Sequence, residues 1–230
     1  MNINVIYEDN HLLVVEKPCN VLSQKDNTCD LDMVNLLKDY LKKKYDKKGN
    51  VFVGLVHRLD RPVGGIMVFA KTSKAASRLS ESIRTNKLKK TYLAVVHGRL
   101  PKKSGRLTDY LLKDKKTNMV SVVPKGVEHA QEAILEYKVL KELDNLSLVM
   151  IQLITGRSHQ IRVQFKNNGN PLYGDQKYGK DVNKVGTQIA LWSYGLSFPH
   201  PTKKDIMEFK LKPHNKGIWK VFNVGIEEYI

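Results

Sequence analysis

Cysteine, acidic side chains and long apolar runs are all scarce in this 230-residue sequence. The two cysteines, Cys19 and Cys29, allow at most one bridge and match no C-x-x-C pattern, which argues against a disulfide scaffold and a cysteine-rich zinc site. Such cysteine use suits a reducing compartment, so we expect a cytoplasmic protein. No apolar run approaches the roughly 18 residues of a membrane-spanning helix, and no secretory signal is visible. We therefore expect no membrane partner.

The shortage of acidic residues gives the chain a strong positive charge. Lys and Arg number 39 against 23 Asp and Glu, for a formal net charge of +16. This excess favours a polyanionic partner and argues against an acidic macromolecular substrate. The sequence also lacks a Gly-rich phosphate loop and a clustered metal signature. The hypothesis of a DNA-binding module is supported by charge alone, because no zinc-finger, zipper or helix-turn-helix signature is present.

The apolar pattern predicts few helices. Helical spacing relates the inward-facing residues of two segments, which are Leu31, Val34, Leu37 and Leu41 in the first and Ala75, Ala76, Leu79 and Ile83 in the second. The second helix has Thr72 or Ser73 as its N-terminal cap. A third, short helix is predicted to follow Ser158 as its cap and to end at Gly169.

Strands are predicted to outnumber these helices. They include residues 66–70, residues 91–98 and a hairpin that turns at Asp144-Asn145 between residues 135–139 and 148–154. Because no repeat and no flexible linker divides the chain, we expect a single domain over residues 1–230. The predicted fold class is α+β, with a mixed, largely antiparallel β-sheet flanked by helices and loops.

Two polar clusters are candidates for chemistry. His57-Arg58-Leu59-Asp60-Arg61 places a carboxylate among basic groups at the end of an apolar segment. By composition alone, a turn in which an arginine holds the carboxylate accounts for this cluster better than catalysis does. Thr155-Gly156-Arg157-Ser158-His159-Gln160-Ile161-Arg162 places two arginines around a helix start, where guanidinium and backbone N–H groups can receive phosphate or carboxylate. A basic surface turn is the alternative for this second cluster.

In their order and separation, the two clusters resemble the motifs of RluA-type RNA pseudouridine synthases. Gly64-Gly65 follows the first cluster and Leu153-Ile154 precedes the second, as in that family. Further matching blocks are Lys17-Pro18, Lys90-Thr91-Tyr92, Pro171-Leu172-Tyr173-Gly174-Asp175, Tyr178-Gly179, Leu196-Ser197-Phe198 and His200-Pro201. The resemblance covers nearly the whole chain and implies the pseudouridine synthase catalytic fold, with an active-site cleft on the sheet.

The resemblance implies an isomerase that converts uridine in folded ribosomal or transfer RNA to pseudouridine. The N-glycosidic bond breaks, uracil rotates, and a carbon–carbon bond forms to the same sugar. Because nothing is consumed, oxidised or reduced, we expect no cofactor and no catalytic metal. We expect RNA as the partner. We also expect a monomer, since no heptad pattern supports a coiled-coil dimer.

The resemblance also assigns the catalytic groups. Asp60 is the essential carboxylate, and it acts as an anion that attacks the ribose or uracil or removes a sugar proton. Burial beneath a base would raise its pKa unless a cation opposes the shift, and the family position of that cation is Arg162. Arg157 is the second candidate for this role, or it contacts phosphate.

Other family positions imply contacts with the RNA. Because a stacked uridine must be extruded, Arg58 would fill the space that the base leaves. Tyr92 would stack on the uracil and Leu196 would close the pocket, with core packing as the ordinary alternative for both. Lys17 and Lys90 are expected to contact the substrate RNA. As residues of family blocks, Lys17 and Asp175 are also expected to fix loops around the site, although a surface turn would account for either.

Two further groups of residues complete the expectations. His57 and His159 match no metal-binding pattern and are expected to be hydrogen-bonded structural histidines. Basic side chains that fit phosphate contacts along an RNA path are Lys87, Lys89, Lys90, Lys102, Lys103, Arg106, Lys113, Lys115 and Lys116. Individually, each of these is an ordinary solvated residue.

The sequence departs from the family pattern at two places. After Asp60 the family usually has Thr-Ser-Gly, whereas this chain has Arg61-Pro62-Val63, which leaves the nearby substrate contacts open. Many relatives carry an N-terminal S4-like RNA-binding domain, for which the early Lys17-Pro18 block is expected to leave no room. The altered residues and the high charge motivate a second hypothesis, a non-catalytic RNA-binding or ribosome-assembly protein on the same fold.

Overall fold

The computed structural model describes residues 3–222, which form eleven strands and four helices. The strands are β1 (Val5–Glu8), β2 (Leu12–Lys17), β3 (Gly54–Leu55), β4 (Gly64–Ala70), β5 (Lys89–His97), β6 (Ser104–Asp114), β7 (Met119–Val123), β8 (Gln131–Leu143), β9 (Leu146–Leu153), β10 (Leu191–Pro199) and β11 (Ile206–Lys210). The helices are α1 (Met33–Lys44), α2 (Ser73–Arg84), α3 (Gln160–Asn167) and α4 (Ile218–Phe222).

The chain forms two compact units. Unit 1 consists of Met1–Lys90 and Ser193–Pro213, and unit 2 consists of Thr91–Trp192 and His214–Ile230. Most of β10 belongs to unit 1, and most of β5 belongs to unit 2. The single domain over residues 1–230 stays a prediction. Within residues 3–222, no helix has the length and apolar character needed to cross a membrane.

The sheet of unit 1 has the strand order β1-β2-β4-β10, with β3 paired to β4 and β11 paired to β10. The pairs β1·β2, β2·β4, β3·β4 and β10·β11 are antiparallel. In the β2·β4 pair, Leu12 lies opposite Ala70 at one end, and Lys17 lies opposite Gly65 at the other. The apolar core of this unit consists of Leu12, Val14, Ile66, Val68, Ala70, Ala75, Leu79, Leu88, Leu196 and Phe198.

Helix α2 begins and packs as predicted. The hydroxyl of Thr72 caps it by accepting a hydrogen bond from the N–H of Ala75 at 3.1 Å. Ala75 and Leu79 lie in the apolar core of unit 1, while Ala76 and Ile83 pack against that core. Each of the four predicted inward-facing residues is therefore on the packed face of the helix.

Helix α1 begins later than the apolar spacing suggested. The carboxylate of Asp32 caps it by accepting from the N–H of Asn35 at 3.1 Å. Leu31 therefore precedes the helix and is 61% exposed. The prediction that Leu31 faces inward was wrong, because the aspartate cap fixes the helix start after it.

The sheet of unit 2 has the strand order β5-β9-β8-β6-β7, and β8·β9, β6·β8 and β6·β7 are antiparallel. The predicted hairpin is confirmed, since β8 and β9 are joined at Asp144, whose φ is 51°. The hairpin of β6 and β7 was not predicted. Few helices and mainly antiparallel strands confirm the α+β class.

Helix α3 lies in unit 2 and differs at its start from the prediction. Its N-terminal flanking residue is His159, which has a left-handed φ of 53° and makes no side-chain cap bond. The prediction that Ser158 caps the helix was wrong. The side chain of Gln160 instead accepts the N–H of Arg157 at 2.9 Å. Gly169, with a φ of 80°, follows the end of the helix as predicted.

Candidate active site

Asp60 lies in the loop between β3 and β4 of unit 1, and we call residues 57–63 the Asp60 loop. Its side chain is half-buried. Its carbonyl accepts a hydrogen bond from the N–H of Val63 at 3.0 Å, which closes a four-residue turn. Pro62 suits a loop position because it has no N–H that must be satisfied. Arg58, on the same loop, is exposed.

Two buried side chains anchor the Asp60 loop ahead of the carboxylate. The hydroxyl of Ser23 accepts from the N–H of Leu59 at 3.1 Å and donates to the carbonyl of Leu59 at 2.8 Å. The Nε2 atom of His57 accepts from the N–H of Val68 at 3.1 Å, so the neutral ring carries its proton on Nδ1. Burial and the nearby charge of Lys90 lower the pKa of His57 to about 3. The ring is therefore neutral near pH 7.

Lys17 is fully buried and holds the Asp60 loop from beneath. Its Nζ donates to the carbonyls of Pro18 at 3.0 Å, Val21 at 2.6 Å and Arg61 at 3.1 Å. These bonds match the three donors of an ammonium group. Burial lowers the pKa of Lys17 to about 8, and the negative charge of Asp60 acts in the opposite direction. Lys17 therefore acts as a positioning residue for the loop, one of the two expected roles, and its full burial does not suit the other, a contact with RNA.

Arg61 connects the Asp60 loop to a second, exposed loop. Its Nη1 lies 2.8 Å from a carboxylate oxygen of Asp30, and both side chains are about half exposed. Its carbonyl also accepts from the N–H of Asn20 at 2.8 Å. The ion pair adds little stability because solvent screens it. The backbone hydrogen bond of Arg61 therefore contributes more to this connection than its ion pair does.

Gly65 allows β4 to pass close to β10 directly after the Asp60 loop. Its φ is 121°, a backbone conformation that residues with a Cβ atom rarely adopt. A Cβ atom here would lie 2.3 Å from the carbonyl oxygen of Ser193. The second glycine of the Gly64-Gly65 block is therefore required by the packing of the strands.

Arg162 lies on α3 in unit 2, where it is buried together with Asp175. Its Nε and Nη2 atoms donate to the two carboxylate oxygens of Asp175 at 2.8 and 2.7 Å, which forms a bidentate pair. Burial would raise the pKa of Asp175, but the guanidinium and the N–H groups of Lys177 and Tyr178 hold that pKa below its ordinary value. The ionised pair fixes the plane of the guanidinium group.

Tyr178 completes the surroundings of Arg162. The guanidinium carbon lies 5.1 Å from the centre of its ring, which is a cation–π contact. The tyrosine hydroxyl accepts from the N–H of Val120 at 3.0 Å and lies 2.6 Å from Nδ1 of His159. The direction of this second bond depends on the tautomer of His159, because the hydroxyl can donate to Nδ1 or accept from it. His159 is thus hydrogen-bonded, as expected.

Arg157 precedes α3 and is exposed. Its Nε donates to the carbonyl of Glu132 at 2.9 Å. Its backbone is fixed by the buried side chain of Gln160, which also accepts from the hydroxyl of Thr155 at 2.9 Å and donates to the carbonyl of Ile134 at 3.0 Å. A fixed backbone with an exposed guanidinium suits contact with phosphate.

Three predicted site residues lie on strands. Tyr92 is buried on β5 in unit 2, and Leu196 is buried on β10 in the apolar core of unit 1. Leu196 therefore has the core packing that is the ordinary alternative to a role in the uracil pocket. Lys90 is half-buried, and burial lowers its pKa below the ordinary value. The contacts of these residues with RNA stay predictions.

The basic residues predicted along the RNA path lie mainly at the surface. Eight of the nine are exposed, and Lys90 is half-buried. Lys103 forms an ion pair with Glu142 at 2.5 Å, and Arg106 lies 4.0 Å from Glu136. Exposure leaves the group accessible to a polyanion, in keeping with the expected phosphate contacts.

Sequence reasoning missed most of the contacts that hold the site in place. Asp175 was expected to fix a loop, but its pairing with Arg162 was not foreseen, Tyr178 stood in a matching motif without an assigned role, and Ser23 carried no signal. One signal was present, since Arg162 stands between Ile161 and an apolar valine on a short helix, and a buried guanidinium requires a partner. That signal predicts an acidic partner without saying which residue supplies it.

Comparisons with known proteins identify relatives of this sequence. Residues 11–167, more than half of the chain, match the family described as RNA pseudouridylate synthase. The chain is 34% identical over 224 residues to "Uncharacterized RNA pseudouridine synthase" of Aquifex aeolicus, which covers 91% of this chain and 69% of that protein. It is 32% identical over 207 residues to "Ribosomal large subunit pseudouridine synthase C" of Buchnera aphidicola, with coverage of 86% and 63%.

A solved structure has the same fold. "Human RNA Pseudouridylate Synthase Domain Containing 4" superposes with a TM-score of 0.77 at 24% identity, covering 92% of this chain and 89% of that chain. At this identity the likeness concerns the fold. The curated relatives are longer, and this chain spans about two thirds of their length.

Acid should destabilise the chain through His57. Its pKa of about 3 in the folded chain lies below the ordinary value of 6.5. Between these values the unfolded chain binds more protons, so the free energy of unfolding falls as pH decreases, by at most about 1.4 kcal/mol per unit. We expect the non-titrating variant His57→Gln to have a flatter profile between pH 6.5 and 4.5 in urea unfolding. Parallel profiles for the two proteins would contradict this assignment.

Removing the charge of Asp175 should leave the Arg162 guanidinium buried without its counterion. We expect Asp175→Asn to lower the free energy of unfolding by roughly 3–5 kcal/mol. Asp181→Asn is a matched control, because Asp181 is an exposed carboxylate of the same unit. Urea unfolding at pH 7 measures both. Equal, small changes in the two variants would show that the bidentate pair contributes nothing to stability.

Proposed function

Because this chain belongs to the RNA pseudouridylate synthase family, we propose that Asp60 is the carboxylate on which its isomerisation of uridine to pseudouridine in RNA depends. The reaction leaves the composition of the RNA unchanged. The bond from ribose to the uracil nitrogen breaks, the base rotates, and a bond from the same ribose to a uracil carbon forms. The proton lost from that carbon is balanced by one gained at the nitrogen.

The anchoring of the Asp60 loop carries this proposal. Ser23 and His57 hold the backbone of the loop and of the following strand through buried hydrogen bonds, and Lys17 holds the carbonyl of Arg61. The side chain of Asp60 is only half-buried on this fixed backbone. Reacting groups need such support, because small displacements of a catalytic atom lower the rate strongly.

Electrostatics define what Asp60 can do. The ionised carboxylate attacks the ribose or the uracil, or removes a sugar proton. A base that covers the carboxylate disfavours its charged form, and a nearby cation favours that form. We assign this cation to Arg162, as the family resemblance implies. Lys17 adds a buried positive charge that acts on Asp60 within unit 1.

Access to the target requires extrusion of the uridine from its stack, at a cost of a few kcal/mol. In this proposal Arg58, exposed on the Asp60 loop, fills the space that the base leaves. Tyr92 stacks on the uracil, which is worth about 1–3 kcal/mol for an aromatic contact with a base. Arg157 and Lys90 contact the RNA near the extruded nucleotide.

Ribosomal RNA of the large subunit is the proposed substrate. Two relatives from different Buchnera aphidicola strains are named "Ribosomal large subunit pseudouridine synthase C", and both are 32% identical to this chain. Their names support a ribosomal rather than a transfer RNA target. We propose that the protein acts as a cytoplasmic monomer and without a cofactor.

Asp60→Asn should abolish the reaction while it keeps the fold and the affinity for RNA, because the amide is similar in size but cannot act as an anion. The assay incubates purified protein with unmodified large-subunit ribosomal RNA, without added cofactor, and separates the nucleosides after digestion. Asp205→Asn, which alters an exposed carboxylate of unit 1, is the matched control and should keep its activity.

Two outcomes of this assay oppose the proposal. Full activity of Asp60→Asn would remove Asp60 from the chemistry. Wild-type protein that binds the RNA tightly but forms no pseudouridine would favour the alternative, a non-catalytic RNA-binding or ribosome-assembly protein.

RNA binding should weaken steeply with salt, because each phosphate that a basic side chain neutralises releases counterions. For six or more phosphates, the affinity falls roughly a thousandfold between 50 and 200 mM salt. Titration of large-subunit ribosomal RNA with the Asp60→Asn protein over this range measures the slope without turnover. A flat salt dependence would argue against the proposed surface of basic residues.

A further inference from the structure

A second basic surface lies at the end of helix α1 in unit 1. Five lysines occur within the seven residues 42–48, and Lys71 joins them from the segment after β4. We call this group the Tyr45 patch, and its members are Lys42, Lys43, Lys44, Tyr45, Lys47, Lys48 and Lys71. None of these residues belongs to the motifs that carry the family resemblance.

An exposed aromatic ring gathers three of the lysines. The Nζ atoms of Lys71, Lys44 and Lys47 lie 4.9, 5.6 and 5.7 Å from the centre of the Tyr45 ring, which is within cation–π range. The side chain of Tyr45 is 46% exposed. Ammonium groups that would repel one another are therefore held together at the surface around one ring.

The carboxylate of Glu8 orients part of the Tyr45 patch through hydrogen bonds. Its side chain is 7% exposed and accepts from the hydroxyl of Tyr45 and from Lys44 and Lys71, each at 2.7 Å, and from the hydroxyl of Tyr40 at 2.9 Å. Although burial would raise the pKa of Glu8, these donors lower it to about 2. The carboxylate is thus ionised and fully engaged, and it orients the ring and two lysines.

Four lysines of the patch remain available to a ligand. In the part of the chain that the structure describes, Lys42, Lys43, Lys47 and Lys48 are exposed and form no ion pair. The helix dipole accounts for basic residues in the last turn of α1. It does not account for Lys47 and Lys48, which follow the helix, or for Lys71, which comes from another element. The charge of the patch therefore exceeds what the stability of α1 requires.

The Tyr45 patch and the Asp60 loop lie at opposite ends of one strand pair. Glu8 lies opposite Leu13 in the β1·β2 pair, close to the end where Leu12 faces Ala70. Lys17, which holds the Asp60 loop, is at the other end of β2. The six residues of β2 span about 17 Å. One extruded nucleotide cannot occupy both places, so a polyanion that meets both must extend beyond the target uridine.

We propose that the Tyr45 patch binds phosphates of the substrate RNA outside the target nucleotide and so contributes to the affinity for large, folded RNA. This inference rests on the proposed function, because it takes RNA to be the substrate. Lysine ammonium groups bind phosphate as point charges and without sequence preference. The patch therefore adds affinity and leaves the chemistry to the Asp60 loop.

The test removes four lysines and leaves the Glu8 contacts intact. The patch variant carries Lys42→Ala, Lys43→Ala, Lys47→Ala and Lys48→Ala. The matched control carries Lys74→Ala, Lys203→Ala, Lys204→Ala and Lys210→Ala, which are also exposed lysines of unit 1. Both variants lose the same charge, so any difference between them reports position rather than net charge. Urea unfolding first checks that both variants keep the stability of the wild type.

The probe is an in vitro transcript of large-subunit ribosomal RNA. We expect the patch variant to bind it about tenfold more weakly at 100 mM salt and to show a salt slope smaller by about two to three. KM should rise by a similar factor while kcat stays unchanged. The control variant should change affinity less than threefold. Equal losses in both variants, or an unchanged affinity of the patch variant, would overturn the proposal.

Two further measurements separate the proposal from binding to a membrane and from failure of the proposed function. Vesicles of phosphatidylglycerol and phosphatidylcholine test for an anionic membrane. If the patch variant lost vesicle binding but kept the RNA affinity of the wild type, the proposal would be overturned. Product formation by the wild type on the same transcript tests the proposed function separately. If the patch variant loses affinity while the wild type forms no pseudouridine, the proposed function fails and the RNA surface stands.

Discussion

The buried ammonium group of Lys17 determines where the Asp60 loop lies in unit 1. A buried cation must satisfy all three of its donors, and Lys17 does so with the carbonyls of Pro18, Val21 and Arg61. Two of these carbonyls follow β2, and the third belongs to the Asp60 loop. Any movement of that loop away from β2 would leave a buried charge short of an acceptor. The position of Asp60 therefore depends on a group that is fully buried beneath the loop.

Arg162 in unit 2 is also a buried cation, but its partners are side chains instead of backbone carbonyls. Its buried guanidinium is paired with the carboxylate of Asp175 and covered by the ring of Tyr178. An ion pair of this geometry is costly to form and costly to break, so it specifies one orientation of the side chain. Arg157, five residues earlier, is exposed, and its guanidinium donates to the backbone carbonyl of Glu132. The two arginines of one motif thus divide into a fixed cation and a surface group suited to phosphate.

Much of the fold could be predicted from the sequence because its signals were local. Thr72 caps α2 as predicted, and the turn at Asp144 joins the predicted strands. Local signals failed where tertiary contacts decided the outcome. Ser158 has the chemistry of a cap, but the side chain of Gln160 binds the N–H of Arg157 and fixes the chain ahead of the helix. The β6·β7 hairpin escaped prediction because β6 has several exposed residues and mixes basic and acidic side chains, as a surface loop does.

The candidate site was predictable in part for the same reason. Motif resemblance supplied Asp60 and Arg162, since each stands in a contiguous block. The family block gave Lys17 either a contact with RNA or a role in fixing a loop, and only the packed structure reveals the three carbonyls around it. Ser23 and Asp175 act across the chain, 36 residues from Leu59 and 13 residues from Arg162, and sequence spacing does not encode such contacts.

The claim that joins these parts is that a carboxylate on an anchored loop rearranges a uridine in folded RNA. Mapping of pseudouridines across all RNAs of cells with and without the gene tests it most directly. We expect one or a few positions in large-subunit ribosomal RNA to lose pseudouridine without the gene and to regain it when the wild-type gene returns. An identical map in both cells would contradict the claim.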